Sequence, residues 1–167
     1  MTARALPALV ALSLAGCQSL AGTWLFLVDP NVQASGDCAP DDDDSDIVVS
    51  YKGDSAQMVD IYELNDGSWV IQTNPILTGT LDGSTLNAEH EYSYAIEWEE
   101  DDEEYSESDV DWLEAEYDGG TLTGTVGNNY AEYARDGDDE ENYGCVLKAD
   151  FTAEQVTSDG NDYAGSE

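Results

Sequence analysis

Residues 84–98 alternate strictly in character. Leu86, Ala88, His90, Tyr92, Tyr94, Ile96 and Trp98 share one parity, and Thr85, Asn87, Glu89, Glu91, Ser93 and Glu97 share the other. In a strand, successive side chains point to opposite faces, whereas a helical face recurs every ~3.6 residues. The run therefore predicts a long, half-buried β-strand. Residues 144–156 repeat the pattern, with Cys145, Leu147, Ala149, Phe151 and Ala153 set against Lys148, Asp150, Thr152 and Glu154. No window sustains a helical period.

Six further runs read as strands: 22–28, 47–52, 56–64, 68–81, 106–117 and 121–133. Turn signals separate them at Gly53-Asp54, Asn65-Asp66-Gly67, Asp82-Gly83 and Asp118-Gly119-Gly120. Asp-Gly between alternating runs marks a tight hairpin. Pro75 cannot donate to a ladder, yet Trp69, Ile71, Thr73, Leu77, Gly79 and Leu81 keep one parity across it. The expectation is one long strand with a bulge or an edge position there. Between Trp112 and Leu113 the apolar parity slips, which predicts a second bulge. Leu77-Thr78-Gly79-Thr80-Leu81 and Leu122-Thr123-Gly124-Thr125-Val126 echo one another. Two copies in different contexts read as shared strand chemistry rather than a repeat architecture.

The predicted fold is all-β: an eight-stranded antiparallel up-and-down meander closing into a small barrel. If the end where 22–28 begins is the bottom, loops 29–46, 65–67, 99–105 and 134–143 fall at the top. Turns 53–55, 82–83 and 118–120 fall at the bottom. Cys38 and Cys145 then share the top end, and closure makes the first and last strands neighbours.

The N-terminus carries Arg4, an apolar run from Ala5 to Leu14, and then Leu14-Ala15-Gly16-Cys17. The apolar run is too short to span a bilayer and matches a signal-peptide core. Leu14-Ala15-Gly16-Cys17 resembles the lipobox of bacterial lipoproteins. The resemblance implies cleavage of residues 1–16, a lipidated Cys17 and a short tether over 17–21. A single barrel domain over 22–156 and a polar tail over 157–167 complete the organisation. By analogy with enterobacterial lipoproteins, Gln18 implies delivery to the outer membrane, with the lipid on Cys17 holding the chain to the cell envelope. Export implies an oxidising compartment, so the two remaining cysteines, Cys38 and Cys145, are expected to pair as a disulfide. Two Cys and the single His90 make a poor zinc set.

Gly22-Thr23-Trp24 resembles the first-strand Gly-x-Trp of lipocalin-like barrels. Members of that family pack the Trp against a basic residue near the last strand, where this chain offers only Lys148. The resemblance implies a carrier of a small apolar ligand, with a pocket formed by Trp24, Leu86, His90, Tyr92, Tyr94 and Trp98.

The 167 residues hold 38 Asp and Glu against 4 Lys and Arg, a net charge of −34. Nucleic acid is excluded as a partner, because phosphate binding needs a basic patch. Self-repulsion on this scale makes stability depend on screening cations. The acid excess fits either a saline habitat or a surface lipoprotein with acidic loops, and the second is preferred. Carboxylates concentrate at Asp41-Asp42-Asp43-Asp44 with Asp46, at Glu99–Glu104 including Asp101 and Asp102, and at Asp136, Asp138, Asp139, Glu140 and Glu141. Clustered oxygens suit Ca²⁺, so Asp41–Asp44, Asp101, Asp102, Asp138 and Asp139 are the candidate ligands. An EF-hand fails: counting from Asp136, the sixth position is Glu141 rather than Gly and the twelfth is Leu147 rather than Glu. Solvated acidic loops are the plainer expectation.

Catalysis finds little footing. Parity places His90 on the apolar face, as a packed or barrel-lining residue. Gly53-Asp54-Ser55 resembles the nucleophile block of GDSL-type hydrolases, whose later Asp-x-x-His block is absent. The expectation is no enzyme and no cofactor beyond divalent cations, with a non-enzymatic binding or structural role at the envelope. A calcium-dependent adhesion module is the further alternative, and the partner is a small apolar ligand or another envelope protein.

Overall fold

The computed structural model describes residues 19–38, 56–98 and 103–158, without the side chains of 97 and 98. Among these residues all regular structure is β. The strands are β1 (Gly22–Val28), β2 (Gln33–Gly36), β3 (Gln57–Glu63), β4 (Trp69–Ile71), β5 (Leu77–Asp82), β6 (Thr85–Trp98), β7 (Glu103–Asp118), β8 (Thr121–Asp136) and β9 (Asp139–Thr157). Every pairing is antiparallel. The order runs β1-β3-β4-β5-β6-β7-β8-β9, and a β1–β9 ladder closes it into a ring. The eight-strand closed meander is therefore present; six of its strands fall on the expected runs 22–28, 56–64, 84–98, 106–117, 121–133 and 144–156, and the other two both come from 68–81.

The run 68–81 is two strands rather than one. β4 and β5 pair as a hairpin, Trp69 opposite Gly79 and Ile71 opposite Leu77. Pro75 lies in the connection between them, where its missing N–H costs no ladder bond. Thr73 stabilises that connection by donating its hydroxyl to the Pro75 carbonyl at 2.7 Å. Unbroken parity across 72–76 concealed the reversal. β2 is an additional strand. It follows β1 in the same direction along the 19-residue β9, pairing Gln33–Gly36 with Lys148–Cys145. All four of its residues are exposed, so no apolar alternation marked it.

With β3 descending, the turn 64–68 lies at the bottom beside the turns at 83–84 and 119–120, not at the top. The expected strand 47–52 and turn 53–55 lie outside the described residues. The expected loop 134–143 is instead a continuous hairpin, with Asp136 opposite Asp139. Gly137 turns it at a φ of +59°, the left-handed conformation that glycine adopts without penalty. There is no bulge at Trp112 either, because the β7–β8 register runs unbroken from Glu103 to Asp118. The parity slipped because Trp112 sits on the outer face. There Lys148 Nζ stands 6.0 Å from its ring centre.

Inward side chains fill the ring. Trp24, Phe26, Val59, Ile61, Ile71, Leu77, Leu86, Leu113, Leu122 and Val126 are fully buried in one cluster. Phe26 stacks on Phe151 with centroids 5.0 Å apart. Trp24 donates its indole N–H to the Leu20 carbonyl at 2.9 Å and meets Tyr117 edge-on. Its neighbours are thus a carbonyl and a phenol, while Lys148 is on the opposite side of the sheet. The echoed glycines have one explanation. Gly79 faces Ala88 and Gly124 faces Ala115 across ladders. A Cβ at either position would fall within 2.0 Å or less of the neighbouring strand's backbone carbonyl oxygen. Bare backbone at these positions lets tightly coiled strands approach.

Residues 19–21, expected as part of a free tether, are docked. Leu20 is 2% exposed within the core. Gln155 of β9 donates its side-chain amide to the carbonyls of Ser19 and Ala21, both at 2.9 Å. An apolar Leu two residues before the first strand completes the floor of the core. Cys17 lies outside the described residues.

Candidate functional site

The strands do not end together. β5 leaves β6 at the Thr78–Glu89 pair, but β6–β7 pairing continues from His90 to Trp98. β7, β8 and β9 run on alongside. Four strands thus extend past the ring as one sheet. One face of that extension continues the core face, and its residues fall in rows. The first row is His90, Asp111, Asn128 and Leu147. The second is Tyr92, Asp109, Tyr130 and Cys145. The third is Tyr94, Glu107, Glu132 and Tyr143.

The first row is the border of the apolar core. Asp111 and Asn128 are each 4% exposed. Asn128 donates Nδ2 to Asp111 Oδ1 at 3.0 Å and also to Asp109 Oδ1. One amide thereby satisfies two carboxylates where water thins out. In the third row Glu107 and Glu132 stand directly opposite each other. Like charges in that relationship destabilise a sheet. Tyr105 donates its hydroxyl to Glu107 at 3.1 Å, and Tyr130 donates to Glu132 at 2.8 Å. Burial, the hydrogen bond to Glu132 and the charges of Glu107 and Glu132 hold the Tyr130 phenol far above the usual tyrosine range. Burial and then Glu107 push Tyr105 up as well. Tyr130 meets Tyr143 edge-on at 5.8 Å, and Tyr94 lies 6.4 Å from Tyr105. The only Lys and Arg among the described residues point to the other face. Lys148 is over Trp112, and Arg135 meets Glu104 at 3.5 Å.

The structure divides the expected pocket residues between the core and the surface. Trp24 and Leu86 are packed in the core, whereas Tyr92 is 53% and Tyr94 is 42% exposed. His90 is exposed too, so it is neither packed nor lining a barrel. Parity reported its face correctly; the core beneath that face stops at Ala88. Trp98 closes β6. Of the cation candidates, Asp138 and Asp139 lie at the exposed tip of the β8–β9 hairpin. Asp41–Asp44, Asp101 and Asp102 lie outside the described residues, as does Gly53-Asp54-Ser55. Among the described residues no three His, Cys, Asp or Glu are grouped to hold a metal. Glu103 and Glu104 pair with Asp136 and Arg135, so the described parts of two acidic clusters share the far end. Cys38 and Cys145 form a disulfide, with Cα atoms 4.8 Å apart. It ties the end of β2 to the base of the extension.

Sequence reasoning passed over Asp109, Asp111, Asn128, Tyr105, Glu107, Tyr130, Glu132 and Tyr143. Their signal is a period of two in polar residues: Tyr105-x-Glu107-x-Asp109-x-Asp111 and Asn128-x-Tyr130-x-Glu132. Searching for apolar alternation alone does not detect it. No protein-family model matches the chain, and neither does any curated protein or solved structure.

Proposed function

We propose that this chain is a lipid-anchored, non-enzymatic binding protein of the bacterial envelope, with the extended β6–β9 face as its binding surface. The observation that carries the binding role is the extension itself. Four strands continue past the core and present tyrosines and carboxylates that the ring does not need for its own packing. The anchor rests on Leu14-Ala15-Gly16-Cys17 and the delivery to the outer membrane on Gln18. An apolar carrier of lipocalin type draws less support, because Trp24, Phe26, Leu86 and their neighbours occupy the ring interior.

The test is expression in a bacterial host with labelled palmitate, followed by detergent-phase partition. The wild-type chain incorporates label and enters the detergent phase; Cys17→Ser does neither. A Cys17→Ser chain that partitions and labels like wild type removes the anchor.

A further inference from the structure

The extension has two free edges among the described residues, and they differ in chemistry. One is β9 over Asp139–Tyr143, below which Gly144 bonds Asp37 and β2 takes up the pairing. It carries Asp139, Glu140 and Glu141 in succession, the kind of charged edge that resists addition of another strand. The other is β6 over His90–Trp98, which pairs with β7 on one side and with no described strand on the other. Between His90 and Ile96 it has one acidic residue, Glu91, and no Pro or Lys. Residues 90–95 are exposed on both faces. Every second residue of such an edge turns its N–H and C=O outward, a ready template for an added strand.

We propose that the β6 edge accepts an extended, basic segment of a partner protein as an added strand. The occupant follows from charge. Inward-facing residues of an added strand lie beside Tyr92 and Tyr94, with Asp109 and Glu107 one strand further in. Strands are ~4.8 Å apart, so a Lys or Arg side chain can cross a Tyr ring and reach those carboxylates. Glu107 and Glu132 face each other across the next ladder, while Lys148 and Arg135 lie on the far side of the sheet. A cation arriving from outside relieves that repulsion. A second copy of this chain is disfavoured as occupant by its own net charge of −34. Backbone pairing supplies affinity here, and alternate basic side chains supply selectivity.

This inference rests on the β6–β9 face being the binding surface, and the anchor at Cys17 is tested separately from it. The probe is a synthetic nine-residue peptide alternating Lys and Val, followed by fluorescence anisotropy and amide hydrogen exchange on the intact chain. The peptide is expected to bind and to slow exchange within residues 90–98. N-methylation of alternate peptide amides is expected to weaken it by roughly tenfold or more, because it removes the backbone hydrogen bonds of the added strand. Exchanging Lys for Glu in the peptide abolishes binding. Glu107→Gln with Glu132→Gln removes a like-charge pair, so the variant folds, yet it binds roughly tenfold more weakly and with a flatter salt dependence. Equal binding of the N-methylated or the Glu peptide overturns the proposal. So does protection confined to β7 and β8, which leaves the face as a binding surface but removes the edge. Self-association that protects 90–98 without peptide assigns the edge to a second copy and overturns it too.

Discussion

Asn128 donates to Asp111 at 3.0 Å where the apolar core ends and the polar sheet face begins. Both side chains are nearly inaccessible, so their pairing is a boundary condition of the fold. Asn128→Leu removes the donor from a buried carboxylate and is expected to cost roughly 1–3 kcal/mol in urea unfolding. Adding Asp111→Leu should restore part of the loss, since the more deeply buried of the two acceptors Asn128 served is then gone and only Asp109 is left without its donor. A single variant as stable as wild type removes this pairing from the accounting.

Gly124→Ala is expected to destabilise by roughly 1–3 kcal/mol, because its Cβ would meet the Glu114 carbonyl oxygen at 2.0 Å and Ala115 Cα at 2.6 Å. Gly144→Ala is the control. Nothing lies within 4 Å of its Cβ, and the change should stay within about 0.5 kcal/mol. Thermal melts of the two variants separate crowding from a general effect of glycine loss.

Reducing Cys38–Cys145 opens a loop with a sequence separation of 107. Loop-closure entropy of that size corresponds to about 4–5 kcal/mol. A melt with and without reductant should show the reduced chain unfolding at clearly lower temperature. Coincident melts would mean that the β1–β9 and β2–β9 ladders hold the ring closed unaided.

The Tyr130 phenol is raised in the folded state by burial and by Glu132. A raised acid favours the folded state only while it stays protonated. Its contribution is complete below the ordinary tyrosine value of ~10 and is lost progressively as pH rises beyond it. Ultraviolet titration should therefore show a late-ionising tyrosine that is absent from Tyr130→Phe, and wild type should lose more stability above pH ~10.

Salt should raise the melting temperature, since screening offsets the self-repulsion of 38 acidic residues. At matched ionic strength Ca²⁺ and Na⁺ are expected to do so equally. A larger shift with Ca²⁺ would support the candidate ligands as a specific site.

The ring was legible because alternation reports which side of a sheet a residue faces. Leu86 and Ala88 are buried as that parity requires. Depth was not legible. Tyr92 and Tyr94 keep the same parity but lie past the first residues of β5, Leu77 and Thr78, where that wall of the ring has ended. How far a core extends depends on the lengths of non-adjacent strands, which no local pattern carries. The tight tip of the β8–β9 hairpin, expected as a loop over 134–143, was missed for a different reason. Asp136-Gly137 is the same turn signature as Asp82-Gly83, but the surrounding charges read as loop. Pairing across four strands kept them in a sheet regardless. The tyrosine and carboxylate face shows the limit most clearly, since its alternation is there in the sequence while its meaning depends on three neighbours.

The clasp of Gln155 on Ser19 and Ala21 acts as a height gauge. Under the proposed anchor, Gln18 alone separates the lipidated residue from the docked segment, so the base of the ring cannot swing far from the bilayer. β9 spans 19 residues, and at ~3.3 Å per residue its hairpin tip reaches up to about 60 Å from that base. A partner would then meet the tyrosine and carboxylate face at a near-constant altitude above the membrane. Lengthening the chain between Cys17 and Leu20 would blur that altitude while leaving both the ring and the face unchanged.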